Sequence, residues 1–436
     1  MLESYAIHNL FRESLNAFKQ LDPHLRELSE LRYQYSPHWW EPLTPNTPGI
    51  YILTGGRQVG KSTSCKLLIR DWLEKKWLPP KQIFYLPCDE IQDAKTLGEI
   101  LRSFLDEASN QSFLLIIDEV TFVGNWDRVI KALADEGHFK RGLCLLTGSD
   151  TLILKEAAMR FPGRRGKASQ TDFHVYPLLF SEYVNLLSPQ KEPTIEMLAT
   201  FFKNYLQAGG YLRAINDLAE YNEITTATYA TYEQWIRGDF LKQGKNEDTL
   251  LAVLQALQTV GVSQISYSSL TRKIGLVSKE TCIDYCRLLE RMDILINLQA
   301  FDPNKKQGYP RKDRKFHFAD PFITHTVSHW LQREGYLNSM VTENTLAEAC
   351  VANHCHRLAK TFYFKGKGEV DIIWLTKRIV QAIEIKWATK ILPHDLKTLK
   401  QFKNRIILTK TPHTGKIDNT QTMPVFQFLY EIGHVQ

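Results

Sequence analysis

The sequence predicts an α/β protein of several domains, with a parallel sheet in its first half. Three observations carry that expectation. The chain has 436 residues, and one hydrophobic core stops growing near ~250–300 residues. Short apolar runs alternate with helical periodicity from residue 49 to about 179, the pattern of strands joined by crossover helices. Apolar residues make up 43% and charged residues 23%, which excludes a disordered, collagen-like or disulfide-framed chain.

Taken in order, residues 1–45 read as a helical lead-in that becomes Pro- and Trp-rich around Trp39, Trp40 and Pro42. Residues 46–180 hold apolar runs at 50–53, 83–86, 113–117 and 143–146, separated by helical segments near 61–75, 95–109 and 126–137. Residues 181–245 read as all helix. Within 246–330, an amphipathic segment at 250–260 precedes two helices, 267–274 and 278–292, around Gly275-Leu276. That is helix-turn-helix spacing. Two strands follow, at 294–301 and 315–319, separated by a polar loop with Lys305, Lys306, Arg311, Lys312 and Arg314. The unit is similar to a winged helix with a basic wing. Residues 335–436 read as helix 343–359, strands 361–364, 370–375 and 379–386, helix 393–402 and strand 405–409.

No apolar run reaches the roughly 18–20 residues that span a bilayer, and the N-terminus lacks the apolar core of a signal peptide. Seven cysteines with no CxxC read as reduced thiols of a cytoplasmic protein. Cys350, His354, Cys355 and His356 lie in a helical pattern without a second ligand pair. The net charge of +6 is concentrated beyond residue 334, where 14 Lys/Arg face 8 Asp/Glu. A basic domain attracts polyanions, nucleic acid first; a solvated basic surface is the plainer reading.

Gly55, Gly56, Arg57, Gln58, Val59, Gly60, Lys61 and Ser62 fit G-x-x-x-x-G-K-[ST] between a strand and a helix, the context that makes the motif a phosphate-binding loop. Its backbone N–H groups and helix N-terminus suit ATP phosphates. Thr63 continues the cradle into the helix. Lys61 suits the β- and γ-phosphates, and Ser62 suits Mg²⁺. The apolar run 113–117 ends in Asp118 and Glu119. Asp118 would hold Mg²⁺ and Glu119 would polarise the attacking water. The run 143–146 ends in Thr147-Gly-Ser149, where Thr147 and Ser149 can sense the γ-phosphate or simply make a turn.

These features make the chain resemble prokaryotic AAA+-type P-loop ATPases that carry a winged-helix region and a C-terminal nuclease-like domain. Further matching stretches are Phe161-Pro-Gly-Arg-Arg-Gly166, Tyr176-Pro-Leu-Leu-Phe-Ser-Glu182 and Gly209-Gly-Tyr-Leu-Arg213. Leu179 stands where Ser is commoner in that family and Leu212 where Pro is. The resemblance implies an arginine finger at Arg164 or Arg165, a homo-oligomer if that finger acts in trans, and a second sensor at Arg213.

In the last domain, Asp371, Glu384 and Lys386 have the form D-x₁₂-E-x-K, and with the helix–three strands–helix–strand order the domain resembles the PD-(D/E)XK nucleases. Residues i and i+2 of a strand face the same way, so Glu384 and Lys386 project together, with Asp371 on the neighbouring strand. Glu348, on the preceding helix, can join them, and Glu369 is a spare acid. Carboxylates at Glu348, Asp371 and Glu384 suit Mg²⁺, with Lys386 activating water or offsetting phosphate charge. The expected activity is ATP hydrolysis by a DNA-associated protein whose metal-dependent nuclease-like domain follows the nucleotide state. The alternative is a nucleotide-controlled binding module with an inactive nuclease fold.

Overall fold

The structure is a computed structural model. It describes all residues except 1, 110, 149–153, 155, 157, 158, 160, 337–340, 378, 389, 390, 392–395, 413, 435 and 436. The chain divides into two compact units, Met1–Tyr176 and Pro177–Gln436.

The first unit holds strands β1 (Gly49–Thr54), β2 (Ile83–Pro87), β3 (Leu114–Asp118), β4 (Leu143–Thr147) and β5 (Asp172–His174). They form one sheet in the order β2-β3-β4-β1-β5, and every pairing is parallel. Crossover helices α3 (Lys61–Glu74), α4 (Ala94–Glu107) and α5 (Trp126–Asp135) join its strands. A parallel sheet is covered on both faces, and every residue of β1, β3 and β4 is buried accordingly. The expected strands and helices of this region all appear, within two residues at each end.

The lead-in forms two 3₁₀ turns and two short helices, α1 (Leu15–Leu21) and α2 (Pro23–Glu30). They close the edge strand β2. The Asn9 side chain donates to Tyr85 O at 2.9 Å and accepts from Tyr85 N at 2.8 Å, and Arg12 Nε donates to Ile83 O at 3.1 Å. A buried Lys66–Asp22 pair at 3.0 Å ties the same segment to α3.

The second unit opens with helices Phe180–Leu187, Ile195–Ala208, Leu212–Tyr221 and Thr226–Lys242, as the all-helix reading of 181–245 expects. Helix Glu247–Val260 follows, then Tyr267–Ile274 and Lys279–Arg291. Gly275 between the last two takes φ +81°, a left-handed turn that glycine adopts without strain. Strands β6 (Gln264–Ile265), β7 (Leu295–Asp302), β8 (Gln307–Phe318), β9 (Lys360–Lys365), β10 (Glu369–Leu375), β11 (Val380–Lys386), β12 (Asn404–Thr409), β13 (Gly415–Ile417) and β14 (Thr420–Pro424) form one mixed sheet. Its two parts meet at a single parallel bridge, Ala300 to Tyr363.

Three expectations change here. The polar loop is a hairpin: β8 begins at Gln307, so Arg311, Lys312 and Arg314 lie on a strand. The outer part of β8, residues 307–313, is mostly exposed and has no apolar alternation, so periodicity does not reveal it. The helix expected at 393–402 is helical at Leu396–Leu399, and 393–395 lie outside the described residues. The pair β13 and β14 and the final helix Val425–Ile432 extend the sheet and its cover beyond the expected elements.

Candidate functional site

The phosphate-binding sequence spans the turn from β1 to α3. Gly55 has φ +147°, and a Cβ there would lie 2.4 Å from Val175 O, so no larger residue fits. Gly60, the N-cap of α3, has φ +88°, which leaves the first N–H groups of the helix facing the turn. Arg57, Gln58 and Val59 lie between them, and Ser62 and Thr63 start the helix. The Lys61 ammonium curls back into the loop, donating to Gly55 O at 3.0 Å and Gly56 O at 2.8 Å. It stands 3.8 Å from Glu119. The lysine, the loop and the water-polarising candidate therefore converge.

Asp118 ends β3 and is buried. Its carboxylate accepts from the hydroxyls of Tyr85 and Thr147. Thr147 Oγ1 in turn accepts from Glu119 N at 3.0 Å, and Glu119 takes a left-handed φ of 51°. Thr147 thus ties two adjacent strands at the acid pair. Ser149 lies outside the described residues. Sequence reasoning missed Tyr85. Its phenol also meets Ser62, and burial, then Asp118, pushes it well above its ordinary pKa. It stays neutral and donates to Asp118, between the two expected Mg²⁺ ligands. The Lys66 ammonium sits 3.7 Å from the Tyr85 ring centroid on the other side. Burial lowers the Lys66 pKa, against the raising influence of Asp22. No sequence pattern marks a tyrosine in the middle of an apolar strand.

Arg164 donates from Nε to Asp135 Oδ1 at 2.6 Å. Arg165 donates to Thr171 O at 2.8 Å and pairs with Asp172 at 2.9 Å. Both expected finger candidates hold the loop between β4 and β5 within one copy of the chain.

In the second unit, Glu384 and Lys386 project together from β11, 3.0 Å apart. Asp371 lies beside them on β10, its Oδ2 accepting from Ile385 N at 2.9 Å. Glu348 arrives from helix Glu343–Leu358, nearly fully buried. The cation among these acids is not Lys386 alone. Lys315, on β8, places its Nζ 3.2 Å from Glu348, 2.9 Å from Glu369 and 3.1 Å from Asp371. Glu369, expected as a spare acid, is a full member of the cluster. Burial first and Asp371 next raise the pKa of Glu348 to about 8 and of Glu384 to about 7, with Lys315 and Lys386 pulling the other way. Burial alone would lower the pKa of Lys315; the carboxylates of Glu348, Asp371 and Glu369 outweigh it and raise the group above its ordinary value. Among the described residues, no three His, Cys, Asp or Glu side chains form a metal-holding group by themselves.

Of the four cysteine and histidine positions near 350, Cys350, His354 and Cys355 are buried and His356 is exposed. His354 Nε2 accepts from Phe180 N at 2.8 Å. A backbone N–H can only donate, so the ring proton is on Nδ1, which donates to Cys350 O at 2.8 Å. Cys350 and Cys355 are buried free thiols. No helix among the described residues is long and apolar enough to cross a membrane.

Residues 47–184 match the AAA domain family, and residues 199–334 match a family described as a domain of unknown function, DUF8612. An uncharacterized protein of Haemophilus influenzae is 23% identical over 63% of this chain and 68% of its own length. Uncharacterized protein MJ1637 of Methanocaldococcus jannaschii is 23% identical over 81% of this chain and 79% of its own. Among solved structures, the Walker-type ATPase PABY2304 of Pyrococcus abyssi is similar at 15% identity, covering 70% of this chain and 93% of that one, with a TM-score of 0.43. The ORC2 protein of Aeropyrum pernix, in ADPNP and ADP complexes, is similar at 13% identity over 66% and 89%, with a TM-score of 0.38. The AAA match covers the loop, Lys61 and the Asp118–Glu119 pair, so residues 47–184 form an AAA-type P-loop domain with ATP and Mg²⁺ as its cofactors.

Proposed function

We propose that this AAA-type ATPase acts on DNA, and that its second unit is a Mg²⁺-dependent nuclease-like domain governed by the nucleotide state. The convergence of Lys61, Glu119 and Asp118 on one phosphate-binding loop supports turnover of ATP. In this reading Ser62 and Asp118 hold Mg²⁺, Glu119 polarises water, and Thr147 and Ser149 stand as sensors of the γ-phosphate. Arg164 or Arg165 serves a neighbouring copy as the finger, which requires a homo-oligomer.

The observation that carries the nuclease-like reading is the gathering of Glu348, Asp371 and Glu384 beside Lys386. Four carboxyl groups, counting Glu369, crowd around Lys315 and Lys386, and a divalent cation would relieve the repulsion among them. Glu348, Asp371 and Glu384 would hold Mg²⁺, which supplies charge stabilisation at the phosphate. Lys386 would offset charge on the scissile group. The pair of helices around Gly275 and the exposed hairpin with Lys305, Lys306, Arg311 and Lys312 support duplex binding, in the manner of a winged helix. Incubating the purified protein with plasmid, linear DNA and RNA, with Mg²⁺ and with or without ATP, tests the reading. Cleavage that depends on Mg²⁺ and on Glu384 is expected.

A second reading has its own observation. Lys315 already pairs with three of the acids and occupies the place of a cation among them, as a domain that binds without cutting would need. DNA retention without cleavage under every nucleotide condition would favour that binding module.

A further inference from the structure

Strand β8 changes character along its length. Residues 307–313 are mostly exposed, whereas Lys315 is 1% exposed and Phe316, His317 and Phe318 are buried with it. The Lys315 ammonium reaches carboxylates that come from elsewhere in the fold, Glu348 on a helix and Glu369 and Asp371 on β10. A buried ammonium is costly unless paired, and so are carboxylates crowded together without a cation. Each need is met by the other. A divalent ion would be drawn to the same point between Glu348 and Asp371 for the same reason. Two cations in the space of one repel strongly in such a poorly solvated place.

We propose that Lys315 is an internal counter-cation that closes the carboxylate cluster to divalent metal, and that withdrawal of β8 opens it. The strand that carries the lysine is also the strand that carries the basic ribbon. Lys312 Nζ donates to Lys365 O at 3.1 Å, and Tyr363 donates to Asp313 O at 2.7 Å. Gln264, on β6 at the edge of β8, donates to Glu369 at 2.8 Å. At this point β8 is paired on both sides, with Gln264 of β6 and Leu298 of β7 opposite Lys315, so the lysine leaves the cluster only when those pairings open. The inference rests on the proposed nuclease-like reading only for what the metal would serve; the exclusion itself is a matter of charge and space.

The test is Mn²⁺ titration calorimetry on the full chain, comparing the parent with Lys315→Met, whose unbranched side chain is one atom shorter and uncharged. The variant is expected to bind Mn²⁺ about tenfold or more tightly than the parent, and Lys315→Met/Asp371→Asn is expected to lose that gain. Equal affinity in parent and variant overturns the proposal. Lys315→Gln gives a second reading by thermal melting. Its Tm should climb with Mn²⁺ while that of the parent stays flat, because a ligand of the folded state stabilises it by mass action. If either variant folds only poorly, rescue by Mn²⁺ supports the proposal and failure of rescue overturns it. The nuclease reading fails separately: Lys315→Met that binds Mn²⁺ yet cuts no DNA leaves the gate standing without the activity. A parent that binds Mn²⁺ as tightly as the variant and cleaves DNA does the reverse.

Discussion

The Asn9 side-chain amide and the Tyr85 backbone satisfy each other in both directions, at 2.9 and 2.8 Å. One residue of the lead-in thereby takes the place of a neighbouring strand along β2. An unpaired sheet edge invites association, and buried backbone groups without partners are costly. Asn9→Ala is expected to lower the stability of the first unit by about 1–3 kcal/mol per group left unpaired. Urea unfolding followed by tryptophan fluorescence measures it. Unchanged stability would mean that water replaces the amide at no cost.

Lys61 is held within 3.0 Å of two loop carbonyls and 3.8 Å from Glu119. Lys61→Ala should abolish ATP hydrolysis. Glu119→Gln should still bind ATP while its turnover falls by about 10²-fold or more. Phosphate release and binding of a fluorescent ATP analogue separate the two effects. Parent-like hydrolysis in the lysine variant would refute the assignment of this loop.

Tyr85 donates to Asp118 and meets Ser62, both expected at the Mg²⁺. Partners that orient a metal ligand typically matter about 10–100-fold. Tyr85→Phe is therefore expected to cut ATP turnover by about that factor, with the loss partly relieved at high Mg²⁺. The Mg²⁺ dependence of the rate is the readout. A variant with an unaltered Mg²⁺ profile would leave the phenol a packing role only.

The exposed hairpin supplies cations that a duplex can use. Contacts to phosphates release counterions, with a slope of about 0.9 per phosphate in log affinity against log salt. Replacing Lys305, Lys306, Arg311 and Lys312 with Ala should weaken DNA binding and flatten that slope by up to about 3–4. Anisotropy titrations at several salt concentrations decide it. Superimposable curves would assign the ribbon to solvent.

His354 makes stability depend on pH. Burial, followed by the charge of Arg357, holds its imidazolium pKa down at about 3, against the Cys350 carbonyl. The unfolded ring titrates near ~6.5. Between those values the unfolded chain takes up a proton that the fold refuses. The contribution of the neutral ring is thus complete above the unfolded pKa and is lost as pH falls toward the folded one, at about 1.4 kcal/mol per pH unit. His317, also held at about 3, by burial and Lys315, adds the same dependence. His354→Gln should reduce the stability difference between pH 7.5 and 5.5 by about 1.4 kcal/mol. Denaturant titrations at both values test this, and an equal pH dependence in parent and variant would contradict it.

By itself the sequence determined whatever depends on near neighbours along the chain. The strand-turn-helix at Gly55–Ser62 follows from glycine spacing and an apolar run. The shared face of Glu384 and Lys386 follows from the two-residue repeat of a strand, and the pair is 3.0 Å apart. Only the tertiary structure decided the rest. Asn9 meets a strand 76 residues away, Tyr85 an acid 33 residues away, and Lys315 an acid 56 residues away. The physical reason is that periodicity fixes which face a side chain takes, not which distant face it meets. Sheet order and register make that choice, and they turned the first lysine of an expected strand into the buried cation of an acidic cluster.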